Sequence, residues 1–117
     1  MVIALFEYRL SADIDKAEWE RTFARMVALA SEAPGCISID GYSAPDGADL
    51  AVVRFESEEA LRAWKNHPEH VLAQARGREA FFDAYKVTVA APIIREYQGR
   101  RAETAAHAGG TRRPDAC

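Results

Sequence analysis

The order in which strand-like and helix-like patterns follow one another limits this chain to few folds. A β-favouring segment runs from Val2 to Leu10, and after Asp13 or Asp15 apolar residues recur at helical spacing until Pro34. Two short strands around the turn Pro45-Asp46-Gly47 predict a hairpin. A second helical region and a last strand complete the order β-α-β-β-α-β. This order predicts an α+β fold, a ferredoxin-like antiparallel sheet with both helices on one face.

The second helical region is interrupted at Asn66-His67-Pro68. Ser57 is a good N-cap for its first part, the residue before a proline avoids helical geometry, and proline suits the first position of a new helix. We therefore expect two helical segments that meet at this break, the second of which runs toward Phe81 or Phe82. The last strand is predicted from Tyr85 to Tyr97, with Pro92 at an edge or bulge.

Length and composition indicate one domain. The chain has 117 residues, of which 49% are hydrophobic, enough for a single core. We assign residues 1–97 to this domain and predict a flexible tail at 98–117, where no periodicity is left. No apolar run approaches the roughly 20 residues of a membrane span, and the start of the chain does not resemble a secretory signal. The predicted location is the cytoplasm.

Charge argues against nucleic acid as a partner. Asp and Glu outnumber Lys and Arg by 18 to 15, and four of the arginines lie in the predicted tail, so the domain itself is acidic. An acidic domain does not attract a phosphate backbone.

The predicted first strand has apolar residues on both faces. We expect Phe6, Tyr8 and Leu10 to lie on the face away from the helices, where they are too apolar for open water. A second copy of the chain, laid sheet against sheet, would cover them. The sequence therefore predicts a homodimer with a cavity between sheet and helices.

Polar and aromatic residues gather around the helix break: Trp64, Asn66, His67, His70 and Gln74. Histidine is the usual acid or base near neutral pH and a common ligand of metals and haem. The spacing of His67 and His70 completes no zinc site, so no structural metal is predicted. The alternative interpretation is structural, in which His67 caps a helix and His70 is an exposed helix residue.

The chain resembles the antibiotic biosynthesis monooxygenase family over roughly Met1 to Tyr97. The residues that carry the resemblance are Val2-Ile3-Ala4-Leu5-Phe6-Glu7-Tyr8, Pro34-Gly35-Cys36-Ile37-Ser38, Phe55-Glu56-Ser57-Glu58-Glu59-Ala60-Leu61-Arg62-Ala63-Trp64, Asn66-His67-Pro68-Glu69-His70, Ala73-Gln74 and Gly77-Arg78. The resemblance implies a dimeric α+β barrel that oxidises a small aromatic or quinol-like metabolite with O2, often without metal or flavin.

The same family contains haem-degrading members, which use an asparagine on the first strand, a tryptophan on the second helix and a histidine that ligates iron. In this chain the tryptophan matches Trp64, the asparagine position holds Tyr8, and the histidine position falls near Gln74. His70, one helical turn before Gln74, is the residue available as a haem ligand in this alternative.

A cofactor-free oxygenase needs a base, an apolar box and hydrogen-bond donors for a substrate anion. The base is predicted to be His67 or His70. The expected substrate-binding residues are Phe6, Tyr8, Trp64, Asn66, Gln74, Phe82 and Tyr85. Three hypotheses remain open: a monooxygenase without a bound cofactor, a haem-binding or haem-degrading protein, and a non-catalytic ligand-binding dimer.

Overall fold

The computed structural model describes residues 1–91 and 96–101, and its elements follow the predicted order. They are β1 (Val2–Leu10), α1 (Lys16–Glu32), β2 (Cys36–Ser43), β3 (Asp49–Phe55), α2 (Glu58–Lys65), α3 (Pro68–Arg76), a π-helical turn (Gly77–Phe81) and β4 (Phe82–Ala90). The strands form one antiparallel sheet in the order β2-β3-β1-β4. This is the ferredoxin-like α+β arrangement that the sequence predicted.

Each helix begins at a side chain that accepts a backbone hydrogen bond. Asp15 caps α1, Ser57 caps α2 and His67 caps α3 by accepting from the backbone N–H of Glu18, Ala60 and Glu69 respectively. These contacts satisfy N–H groups that have no partner inside the helix. The predicted break between α2 and α3 is confirmed, with Pro68 at the first position of α3.

The core lies between the sheet and the helices. Val2 and Ala4 of β1 pack with Phe55 of β3, Ala30 of α1 and Trp64 of α2. Because alternate residues of a strand share a face, the even-numbered residues of β1 all point toward the helices.

The placement of the β1 aromatics corrects one expectation. Phe6 and Tyr8 lie on the helix side and not on the open face, since Tyr8 contacts the ring of Trp19 in α1 at 5.6 Å. Leu10 shares this side because it pairs with Phe82, whose ring also meets Trp19. The prediction was wrong because the apolar residues of β1 alternate with Ile3 and Leu5, so the strand pattern alone did not tell its two faces apart.

The face of the sheet opposite the helices is partly polar, and at Ser38, Asp40 and Val52 it is buried. Asp40 of β2 is only 2% exposed, and its carboxylate lies 3.5 Å from the guanidinium of Arg54 in β3. Arg54 also donates to the hydroxyl of Ser38 at 3.3 Å. Arg54 thus belongs to the side opposite the helices.

The last strand begins earlier than predicted. It runs from Phe82 to Ala90 because it pairs with the whole of β1, from Leu10 opposite Phe82 to Ile3 opposite Ala90. Pro92 lies outside the described residues, as does most of the predicted tail, so the domain boundary at residue 97 stays a prediction. The cytoplasmic location stays a prediction as well. Within the described part of the chain, no helix has the length and apolarity that a membrane span requires.

Candidate functional site

An aromatic cluster fills one end of the space between sheet and helices. Its members come from β1, α1, the π-helical turn and β4, and they are Phe6, Tyr8, Trp19, Phe23, Phe81, Phe82 and Tyr85. Phe6 and Tyr8 stack with ring centroids 4.9 Å apart, and the ring of Phe82 meets each of them at 5.3 Å. Offset and edge-to-face arrangements of this kind are those that aromatic rings prefer.

The cluster is closed on one side and open on the other. Phe81 and Tyr8 are 1% and 6% exposed, whereas Tyr85 on the edge strand β4 is 48% exposed. Val87 and Val89 continue the line of Tyr85 on the same face of β4, and both are more than half exposed. The open side is therefore an apolar surface on which a flat aromatic molecule can lie against aromatic rings.

The end of the π-helical turn separates the environments of two consecutive phenylalanines, Phe81 and Phe82. Phe81 packs in the interior against Trp19, with centroids 5.4 Å apart. Phe82 is half-buried and contacts Phe6, Tyr8 and Tyr85. Of this pair only Phe82 is a candidate contact for a ligand.

His67, one of the two predicted bases, acts as a helix cap. Its Nδ1 atom accepts a hydrogen bond from the backbone N–H of Glu69 at 3.1 Å. An accepting Nδ1 carries no proton, so the neutral ring holds its proton on Nε2. The structural interpretation of His67 thus matches its geometry.

His70 is held in the opposite tautomer. Its Nδ1 lies 3.1 Å from the carbonyl oxygen of Trp64, and a carbonyl only accepts, so Nδ1 carries the proton. The imidazole stacks on the Trp64 indole, with centroids 4.1 Å apart and an angle of 15° between the rings. Burial lowers the pKa of His70 below its usual value of 6.5, although the hydrogen bond to the Trp64 carbonyl acts in the opposite direction. The neutral ring keeps its Nε2 lone pair as a proton acceptor.

Gln74 and Asn66 have structural positions as well. The side-chain amide of Gln74 donates to the backbone carbonyl of Lys65 at 2.9 Å, so Gln74 and His70 together satisfy two carbonyls at the end of α2. Asn66 ends α2 through its own backbone N–H, and its side chain is exposed.

Trp64 links the sheet to the α2–α3 junction, by which we mean the break at Asn66 and His67 and the side chains of Trp64, His70 and Gln74 around it. It is 7% exposed and packs in the core with Val2 and Ala4 of β1, whereas the aromatic cluster begins at Phe6. Same-face residues two apart on a strand are separated by roughly 7 Å. One such step along β1 separates Ala4 from Phe6, and among the described residues no ring contact joins the stacked pair of Trp64 and His70 to the aromatic cluster.

A surface groove lies elsewhere, between α1 and α3. It has a volume of about 360 Å³ and is lined by Arg21, Thr22, Arg25, Met26, Glu69, Leu72, Ala73 and Arg76. None of the predicted site residues lines it. Within residues 1–91 and 96–101 no three His, Cys, Asp or Glu side chains gather as a metal site.

Sequence reasoning missed the contribution of α1 to the cluster. Trp19 and Phe23 are not among the predicted site residues, yet Trp19 contacts Tyr8, Phe82 and Phe23 directly. The available signal was their spacing, since residues four apart on a helix share a face. Gly77 was noted in the sequence without a role, although Phe82 packs directly against it.

Comparisons with known proteins identify the class and then the family. A ferredoxin-like fold of this kind occurs in Rv0793 from Mycobacterium tuberculosis, with a TM-score of 0.72, 24% identity, and coverage of 82% of this chain and 98% of the other. SnoaB from Streptomyces nogalater, described as a cofactor-independent oxygenase, gives a TM-score of 0.67 at 17% identity, over 80% of this chain and 94% of its own. These likenesses establish the fold.

The family follows from the sequence match. The model of the antibiotic biosynthesis monooxygenase family matches residues 1–76, and the chain belongs to that family. It is also similar to the uncharacterized protein YqjZ of Bacillus subtilis strain 168, at 35% identity over 69 residues. That match spans 59% of this chain and 60% of YqjZ.

Proposed function

We propose that this protein is a monooxygenase that oxidises a small aromatic or quinol-like metabolite with O2, using the substrate as the only reductant and no metal or flavin. The observation that carries the proposal is the half-open aromatic cluster of a chain in the monooxygenase family, together with a neutral histidine, His70, stacked on Trp64. A planar ring stacks favourably on such side chains.

His70 is the base in this proposal. Its lowered pKa keeps the imidazole neutral near pH 7, and the carbonyl of Trp64 fixes Nδ1 as the protonated nitrogen. Nε2 is then the atom that accepts a proton from an acidic phenolic hydroxyl or an activated ring carbon. His67 is a poorer candidate, because its Nδ1 is occupied by the cap of α3.

The chemistry balances without a further reductant. Loss of a proton to Nε2 leaves an electron-rich anion that passes one electron to O2, and the two radicals then combine at a ring carbon. Cleavage of the O–O bond leaves one oxygen atom in the substrate as a carbonyl and releases the other as water. When a ring CH2 group becomes a carbonyl, the substrate supplies all the electrons that O2 accepts.

Oxygen uptake with reduced naphthoquinols and anthrones tests the proposal. His70→Gln keeps an amide donor for the Trp64 carbonyl but removes the basic nitrogen, and we expect turnover to fall about a hundredfold or more, in the range typical of a lost general base. His67→Asn is the matched control, because asparagine retains the helix cap. Undiminished turnover in His70→Gln would remove His70 as the base, and tight ligand binding without oxygen uptake by the wild type would favour an accessory role.

A second candidate function is haem binding. A histidine that donates one ring N–H to a backbone carbonyl and leaves the other nitrogen open is the arrangement usual for metal-ligating histidines, and His70 has it. A haemin titration that follows the Soret band separates the candidates. Saturable one-to-one binding that is lost in His70→Gln and kept in His67→Asn would favour haem chemistry.

We also propose that the protein is a homodimer in which the second copy covers β4. Every residue of this edge strand except Phe82 is exposed, and Tyr85, Val87 and Val89 form a continuous apolar line on its helix side. An exposed edge strand with apolar side chains invites pairing with another chain.

Light scattering at micromolar concentration measures the oligomeric state. Val87→Lys is expected to shift the protein toward monomer. Thr88→Lys, at the next residue on the opposite face of the same strand, reports whether the second copy also covers the open face of the sheet. A monomeric wild type at this concentration would contradict the proposal.

A further inference from the structure

The contact between Gly77 and Phe82 is unusually close. A Cβ atom built on Gly77 would lie 2.4 Å from Cε2 and 2.9 Å from Cδ2 of the Phe82 ring. Both distances are far shorter than any van der Waals contact between carbons. The ring of Phe82 therefore lies against the backbone of Gly77 in a space that only glycine leaves open.

The backbone itself does not require glycine at this position. Gly77 has φ −60° and ψ −47°, ordinary right-handed helical values that every L-residue adopts. Glycine inside a helix is unfavourable relative to alanine, because it loses more conformational freedom on folding. The role of Gly77 is therefore steric, because the absence of a side chain makes space for the ring of Phe82.

The π-helical turn fixes the Phe82 backbone as well. The N–H of Phe82 donates to the carbonyl of Gly77, which closes the turn, and β4 begins at Phe82 without a loop. With its backbone held at this point, the Phe82 ring is confined between Gly77 on one side and Phe6, Tyr8 and Tyr85 on the other. A methyl group at Gly77 pushes the ring toward those three aromatics.

We propose that Gly77 and Phe82 form a size gate that determines which planar aromatic ligands the aromatic cluster accepts, with Phe82 as the contact and Gly77 as its positioning residue. The inference rests on the aromatic ligand class of the proposed function but not on catalysis. Because glycine has no Cβ atom, the Phe82 ring lies against the helix backbone and not further over Phe6, Tyr8 and Tyr85, and in this proposal that position admits a ligand of several fused rings. A larger residue at position 77 narrows the cluster and favours small ligands.

Binding of two probes, 1,4-naphthoquinone and anthraquinone-2-sulfonate, tests the gate through quenching of tryptophan fluorescence. Relative to wild type, Gly77→Ala is expected to lower the affinity for the larger probe about tenfold, which corresponds to about 1.4 kcal/mol of binding free energy. The affinity for the smaller probe is expected to change little. The double variant Gly77→Ala/Phe82→Leu removes the displaced ring and is expected to restore the affinity for the larger probe. A purely structural role of Gly77 would weaken both probes alike and would show no rescue.

The Phe82→Leu single variant keeps the test decisive if Gly77→Ala does not fold. It is expected to raise the affinity for the larger probe relative to the smaller one, and an unchanged ratio would overturn the proposal. Failure of the wild type to bind either probe would overturn it too. Oxygen uptake is measured separately, so a chain that shows the predicted ratio of affinities but no turnover would contradict the monooxygenase proposal and leave the gate intact.

Discussion

The α2–α3 junction and the aromatic cluster both drew attention in the sequence, but their side chains are engaged in different ways. At the junction the polar groups of His67, His70 and Gln74 are bonded to helix ends. In the cluster Phe6 and Phe82 are half-buried and Tyr85 is 48% exposed. Polar residues at a helix break are first of all a solution to unpaired backbone groups, whereas the half-open aromatic rings of the cluster satisfy no backbone group. The polar groups of the junction thus pair with backbone groups, and the cluster leaves aromatic rings partly uncovered.

The largest expected effect separates these two roles. Trp64→Ala removes a buried indole from the core at the junction and is expected to lower the free energy of unfolding by about 3–5 kcal/mol. Tyr85→Ala at the open side of the cluster removes ring contacts with Phe6 and Phe82 and is expected to lower the free energy of unfolding much less, by about 0.5–1.5 kcal/mol, while weakening the binding of naphthoquinone. Urea unfolding and the fluorescence titration measure the two quantities. Equal losses of stability in both variants would break the comparison.

A smaller effect tests the cap of α3. His67→Ala removes the side chain that accepts from the Glu69 N–H, and it is expected to cost about 1 kcal/mol, as other N-cap losses do. Asn66→Ala, one residue earlier, removes an exposed side chain and is expected to cost much less. His67→Asn should retain most of the wild-type stability. A large loss in Asn66→Ala would give that side chain a role that its exposure does not suggest.

The fold was predictable because local signals agreed with each other. Asp15, Ser57 and Pro68 mark helix starts, and the hairpin and strand periodicities leave one topology. The face of β1 was not predictable in the same way. Its side chains are apolar on both faces, and only packing against Trp19 decides which face meets the helices.

The candidate site was predictable in its aromatic part and less so in its polar part. Phe6, Tyr8, Phe82 and Tyr85 were all expected to line a pocket, and they do lie together. The tautomers of the two histidines were beyond the sequence, because they depend on which backbone group each Nδ1 meets. One meets an N–H of the following turn, and the other meets a carbonyl of the preceding helix.

The pH dependence of stability gives a further contrast within the junction. The pKa of His70 is lowered in the folded protein, so the unfolded chain binds this proton more readily. Stability contributed by neutral His70 is therefore complete above the ordinary pKa of 6.5 and is lost as the pH falls from there toward the lowered value. A single titrating group cannot change the free energy of unfolding by more than about 1.4 kcal/mol per pH unit. Unfolding measured between pH 5 and 7.5 (roughly the range in which histidine titrates) should lose this slope in His70→Gln, and a slope that persists there would assign it to another group.

The smallest expected effects come from two ion pairs that join α1 to α3, one beside each region. Arg25 bonds both oxygens of Glu69 near the junction, and Arg76 bonds both oxygens of Glu18 near the cluster. Exposed pairs contribute little and are screened by salt. Arg76 has two further contacts, however, because it lies 3.8 Å from Glu79 and its guanidinium lies 5.7 Å from the centre of the Phe81 ring.

Arg76→Ala should therefore destabilise the protein slightly more than Arg25→Ala, and added salt should separate the two. Salt weakens the ion pairs, but the contact of the guanidinium with a buried ring loses less, since it includes packing of the side chain on the ring. At high salt the cost of Arg25→Ala should nearly vanish while part of the cost of Arg76→Ala persists in urea unfolding. If the losses of stability in both variants vanish together at high salt, Arg76 contributes through its charge alone. Its contact with the Phe81 ring then adds nothing to the stability of the cluster end of α3.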